Sequence, residues 1–237
     1  MLNEKVVAIH QPNFFPWMGY FDKIVRSDVF ILLDDVQFPT GGGCWSNRVK
    51  LLVGGEGNWV TAAIERNFSG TRNINEMSYL SNNPWRDKIK KTMEFNYKKH
   101  PFYTETMAWV EPLLMNEESN IAAYNMHLIR RVVQLLGLGE EKLKVASDLA
   151  AQGQSNERLC SLTQLVGGGI YMCGGGADGY QDEAIFAEHG VQLRFQSFKH
   201  PVYPQKGSKE FVAGLSVVDA CMNLGLEGTS ALLLSPA

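Results

Sequence analysis

Polar residues gather at the ends of apolar runs. His10, Gln11 and Asn13 follow the β-branched run KVVAIH, and Asp34, Asp35 and Gln37 end or follow the continuous apolar run DVFILLDD. A histidine exchanges protons near neutral pH or, more plainly, caps a loop from the core. Either aspartate can bind Mg²⁺, orient a hydroxyl, act as a base, or simply cap a helix. His10, Asp34 and Asp35 are therefore the candidate catalytic residues. Gln11, Asn13 and Gln37 are the neighbouring candidates for substrate contact.

A third cluster, Asn47, Arg48 and Lys50, follows the glycines of TGGGC. Arg48 suits bidentate contact with phosphate or carboxylate, and Lys50 adds a point charge. On an alternating strand the two cations face one side. Farther on, Gly174 and Tyr180 lie in IYMCGGGADGYQD, where glycines permit close approach to a phosphate or form a plain turn. FKHPVYPQ supplies His200, Tyr203 and Gln205 as ligand contacts or loop architecture. Asp219, alone in the apolar stretch LSVVDACMN, is expected to bond to another loop and hold it. Cys44 has no identified base beside it, and Phe14, Phe15 and Trp17 line a pocket or pack in the core.

These clusters need elements to position them. Strand, loop, helix and strand succeed one another over residues 5–35, with Tyr20, Phe21 and Ile24 on one helical face. That order predicts an α/β fold with a parallel or mixed sheet flanked by helices. Parallel strands would bring the His10 and Asp34 clusters to one sheet edge, where ligands bind in open α/β sheets. VKLLV and WVTAAI read as a hairpin through GGEGN, residues 66–83 as a surface excursion, and 84–137 as a helical insertion. Ser119 is the expected helix cap there. Alternation of strands and helices resumes from KVASDL, and Gly225 is expected to stop the last helix, leaving a loosely held tail. Residues 1–237 thus read as a single α/β domain.

Composition narrows the function classes. Lys plus Arg is 22 and Asp plus Glu is 25, a formal charge of −3, which excludes a generally basic nucleic-acid footprint. Four cysteines without close pairs form neither a zinc motif nor a disulfide framework. No leader pattern opens the chain and no segment approaches the ~20 apolar residues of a bilayer span, so a cytoplasmic protein without membrane insertion is expected. Neither a P-loop nor a dinucleotide fingerprint is present. The pattern names no cofactor and leaves a metal requirement open.

IHQPNFFPWMGYFDKI, DVFILLDDVQF, WSNRVK, ERLCSLTQLVGGGIYMCGGGADGY, FKHPVYPQ and LSVVDACMNLG together resemble the WbqC-like family. Those bacterial proteins are associated with O-antigen and other surface-polysaccharide genes. The resemblance implies recurring positions at His10, Gln11, Asn13, Asp34, Asp35, Gln37, Asn47, Arg48, Lys50, Gly174, Tyr180, Tyr203, Gln205 and Asp219. It also implies a transferase acting on a nucleotide-linked amino sugar, with an activated acyl or aminoacyl donor, a charged tRNA among them. The alternative is a sugar-nucleotide-binding or scaffolding protein of the same pathway. More distantly, the opening is similar to nucleotidyltransferases and pantoate-synthetase-like ligases. Tyr20 here replaces the second histidine of their H-x-G-H.

Overall fold

A computed structural model describes residues 4–39, 44–174 and 181–235. The chain opens with strand β1 (Val6–His10), helix α1 (Met18–Val25) and strand β2 (Val29–Leu32), and the two strands pair in parallel from Val7 beside Val29 to His10 beside Leu32. β5 (Leu143–Val145) joins β2, while β6 (Ile170–Cys173) and then β7 (Gln192–Phe195) lie on the other side of β1, all parallel. The order β5-β2-β1-β6-β7 therefore reverses direction between β1 and β6.

Both sheet faces are covered, which is why β1 and β2 read as unbroken apolar runs. Val6, Ala8, Phe30 and Leu32 belong to one buried cluster, and Val7, Ile9, Val29 and Ile31 belong to a second on the opposite face. The second is closed by α5 (Ser155–Leu165) and α6 (Glu183–Glu188), through Cys160, Leu162 and Phe186. In α1, Tyr20, Phe21 and Ile24 are buried as expected, and so are Asp22 and Lys23.

Between β2 and β5 the chain builds an antiparallel hairpin, β3 (Arg48–Val53) and β4 (Glu56–Thr61), as a separate two-stranded sheet. The predicted hairpin is present with a tighter turn. Val53 pairs directly with Glu56, and Gly54 and Gly55 take φ of +64° and +88°. Two successive positive φ angles suit Gly-Gly and match the twist of the strands. The hairpin leans on α2 (Trp85–Tyr97), whose Tyr97 hydroxyl accepts a 2.8 Å hydrogen bond from the Leu52 amide.

Three expectations are corrected. Residues 66–83 are not merely a surface excursion, because Ile74, Met77 and Tyr79 are buried and Tyr79 Oη reaches the Ser46 carbonyl at 2.8 Å. Helices α3 (Tyr103–Leu114) and α4 (Ile121–Leu135) follow α2, and the cap of α4 is Asn120, not Ser119. The Asn120 side chain accepts from the Ala123 amide at 3.0 Å, while the Ser119 carbonyl is taken by the Tyr79 amide. Finally, Gly225 bends α7 (Val217–Leu234) rather than stopping it. Its φ of +72° breaks the helix, which resumes because Leu226, Leu232 and Leu233 find the core. Among the described residues α7 is long and apolar enough to cross a membrane by length and composition, yet 56% of it is buried inside the protein.

Candidate functional site

A cleft of about 570 Å³ opens where the strand order reverses, beyond the carboxyl ends of β1 and β6. Such a reversal splays the loops after adjacent strands in opposite directions and leaves a crevice between them. His10 and Asn13 reach the cleft from the end of β1, Tyr20 and Lys23 from α1, Gly174 from the end of β6, and Gln196 from the end of β7. Trp17, Trp45 and Phe198 add apolar walls.

His10 Nδ1 lies 3.0 Å from the Gln11 carbonyl, which can only accept. The proton therefore sits on Nδ1, and Nε2 keeps a lone pair. Burial and the nearby Lys23 charge lower the His10 pKa to about 3, so the ring is neutral at physiological pH. Tyr20 braces it edge-on, with centroids 5.0 Å apart, and donates its hydroxyl to the same Gln11 carbonyl at 3.2 Å. Gln11 thus contributes its backbone to the site.

Lys23 is only 4% exposed. Burial brings its ammonium down to about 8, opposed by the nearby Cys173 thiol. Among the described residues no carboxylate lies within ion-pair distance of it. Its neighbour Asp22 is instead paired with Arg26 at 2.7 Å and accepts from Gln196 Nε2 at 2.7 Å. Gln196 also donates to the Gly19 carbonyl at 2.8 Å, which ties the segment after β7 to α1. A Cβ added to Gly174 would stand 3.3 Å from Lys23 Nζ, so a side chain there would occupy the space before the amine.

The other sequence-predicted residues are divided among different places. Asp34 accepts from the Ser147 amide at 3.0 Å, the Ser147 hydroxyl at 2.7 Å and Asn75 Nδ2 at 3.4 Å. Asp35 forms an ion pair with Arg158 on α5. Both carboxylates thus turn toward β5 and α5 and tie the end of β2 to the next layer. Neither lines the cleft. Gln37 is exposed and bridged to Asn73. Asn47 is buried and donates to the Ala62 carbonyl at 3.0 Å across the base of the hairpin. Arg48 stacks over Trp59, and Lys50 lines a second groove between the hairpin turn and residues 207–213.

His200 sits among the rings of Trp17, Phe198, Tyr203 and Phe211, and burial lowers its pKa. Tyr203 donates its hydroxyl to Asp219 at 2.8 Å, and Gln205 Nε2 donates to the same oxygen at 3.1 Å. Gln205 Oε1 accepts from the Val212 amide at 2.7 Å, so Asp219 anchors this loop on α7. Burial pushes the Asp219 carboxyl up to about 6 despite hydrogen bonds from Tyr203, Tyr97 and Gln205. Tyr180 lies outside the described residues. Cys44 is buried, and its Sγ accepts from the Ser46 amide at 3.4 Å. Among the described residues no group of three His, Cys, Asp or Glu is placed to hold a metal ion.

Of the predicted site residues, His10, Asn13 and Gly174 meet in the cleft. Sequence reasoning missed Lys23 and Gln196. Lys23 looks like an ordinary surface lysine of an amphipathic helix, and only the burial of α1 on all sides reveals it. A usable signal was the brevity of α1 between two strands that are themselves apolar throughout.

A model of the WbqC-like protein family matches residues 11–231. The chain belongs to that family. The WbqC-like match takes in Lys23, Trp45, Gly174 and Gln196 and begins one residue after His10. An uncharacterized protein of Mycobacterium tuberculosis is 28% identical over 225 residues, covering 94% of this chain and 95% of that one. No solved structure matches this WbqC-like chain. Membership brings a family-level association with O-antigen and surface-polysaccharide biosynthesis.

Proposed function

We propose that this chain is a transferase of surface-polysaccharide biosynthesis that modifies a nucleotide-linked amino sugar, placing an acyl or aminoacyl group on the sugar amine. The observation that carries the reading is the meeting of His10 and Lys23 in one cleft at the strand reversal. In such a transfer the sugar nitrogen attacks the carbonyl carbon of an activated donor. The carbon–leaving-group bond breaks, and the amine loses a proton. Neutral His10, with its lone pair on Nε2, accepts a hydrogen bond from the attacking amine and orients it. Lys23, with its pKa at about 8, is matched to proton exchange near neutral pH and supplies a cation for phosphate or a developing oxyanion.

The likeness of the opening segment to nucleotidyltransferases agrees with a histidine at the end of the first strand, beside the reversal. A cytoplasmic location follows in this reading from the nucleotide-linked substrate. A charged tRNA as donor would need a local cationic surface, since the formal charge of −3 supplies no extended one. The absence of Asp34 and Asp35 from the cleft lining favours a second reading, a protein that binds sugar nucleotides without chemistry.

Incubation with nucleotide amino sugars and activated acyl or aminoacyl donors, followed by mass spectrometry, tests the transferase. A mass gain that disappears in His10→Ala and Lys23→Met supports it. Sugar-nucleotide binding by calorimetry with no mass gain across the panel replaces it with the binding reading.

A further inference from the structure

Two tryptophans stand partly in solvent beside the cleft. Trp45 is 38% exposed and Trp59 is 40% exposed, and their rings meet edge to face with centroids 4.7 Å apart. The Arg48 guanidinium lies 4.1 Å from the Trp59 centroid and holds that ring in turn. Trp45 is also a wall of the cleft that contains Lys23 and Gly174. Leaving two large rings side by side in water forgoes apolar burial, and adjacent uncovered rings of this kind mark contact sites. A braced indole bordering a cavity offers a platform on which a flat ring can stack.

We propose that Trp45, braced by Trp59 and Arg48, is the stacking platform for the base of a nucleoside diphosphate whose phosphates lie toward Lys23. This rests on the reading of the cleft as a nucleotide-sugar site and assigns the parts of that ligand within it. A sugar ring also packs on indole, but the base is favoured by what shares the cleft. Lys23 supplies a cation with no ion-pair partner among the described residues, and Gly174 leaves the space before it free of side chain. A ligand that joins a flat ring to an anion meets both features. A cavity of about 570 Å³ also lies within the range for ligands larger than a monosaccharide. With the base on Trp45 and the phosphates at Lys23, the sugar falls to His10 and Asn13, where the transfer is proposed.

The test is calorimetry at pH 7 with uridine, guanosine and thymidine diphosphates, inorganic diphosphate and free N-acetylglucosamine. It compares the full chain with Trp45→Ala, Trp45→Phe and Lys23→Met. The expected result is that Trp45→Ala weakens the preferred nucleoside diphosphate about ten- to a hundred-fold, in line with the loss of one base–aromatic stack. Trp45→Phe stays within a few-fold, inorganic diphosphate binds both Trp45 variants as it binds the parent, and Lys23→Met weakens every phosphate ligand. Unchanged nucleotide affinity in Trp45→Ala overturns the platform alone. So does a loss confined to the free sugar, which would move the sugar onto Trp45, or a loss of inorganic diphosphate by both Trp45 variants. Failure of the parent protein to bind any nucleotide removes the functional reading together with the platform.

Discussion

Lys23→Met should make the protein more stable while abolishing its function. The lysine is 4% exposed, and burial lowers its pKa from 10.5 to about 8. One pKa unit corresponds to about 1.4 kcal/mol, so holding the charge inside costs about 3 kcal/mol at pH 7. Methionine is unbranched and of similar length, so it fills the same channel without a charge to desolvate. The sign follows from the lowered folded-state value. Below pH 8 both folded and unfolded chains are protonated, and the penalty is fully present. As pH rises from 8 to 10.5 the folded chain sheds its proton first, and the penalty disappears. Urea unfolding of both proteins should therefore show an advantage for Lys23→Met of about 3 kcal/mol at pH 7, about half of that at pH 9.5, and almost none at pH 11. Equal stabilities at pH 7 refute the reasoning, as does an advantage that does not shrink with pH. A destabilising charge retained in a cleft is the expected signature of a residue kept for activity rather than for folding.

Two further effects test the supports of the site. The Asp219 carboxyl is raised from 3.8 to about 6, so the folded chain holds that proton more tightly and loses stability as pH rises through this window. Asp219→Asn keeps an oxygen for Tyr203 and Gln205 without the charge, so its stability relative to the parent should rise by up to about 3 kcal/mol between pH 4 and pH 7. Urea midpoints across that range check it, and a flat difference contradicts it. Gly225 combines φ +72° with ψ −179°, and a Cβ there would lie 2.8 Å from Phe102 Cδ1. Gly225→Ala should cost at least about 1–3 kcal/mol, seen as a fall of several degrees in Tm, and an unchanged Tm would mean that the bend in α7 is not required.

Much of this molecule follows from local pattern. The apolar runs at 5–10 and 28–35 specify buried parallel strands, since only strands covered on both faces omit polar alternation. The adjacent glycines at 54 and 55 specify a hairpin, and the polar residues after each run specify where strands end. His10, Asn13 and Gly174 were legible for that reason, because a residue at the carboxyl end of a strand next to the reversal has little choice of place. What becomes of a side chain beyond the strand end is a different matter. Asp34 and Asp35 look like a catalytic pair, but they end beside Ser147 and Arg158, residues more than a hundred positions away whose approach no spacing reveals. Lys23 shows the converse. Its sequence neighbourhood marks a helix surface, and its burial depends on β6 and the segment after β7 closing over α1 from distant parts of the chain. Backbone hydrogen bonding and apolar periodicity act over a few residues and can be read along the chain. The fate of a charge depends on which distant groups surround it, and that is settled only when the layers pack.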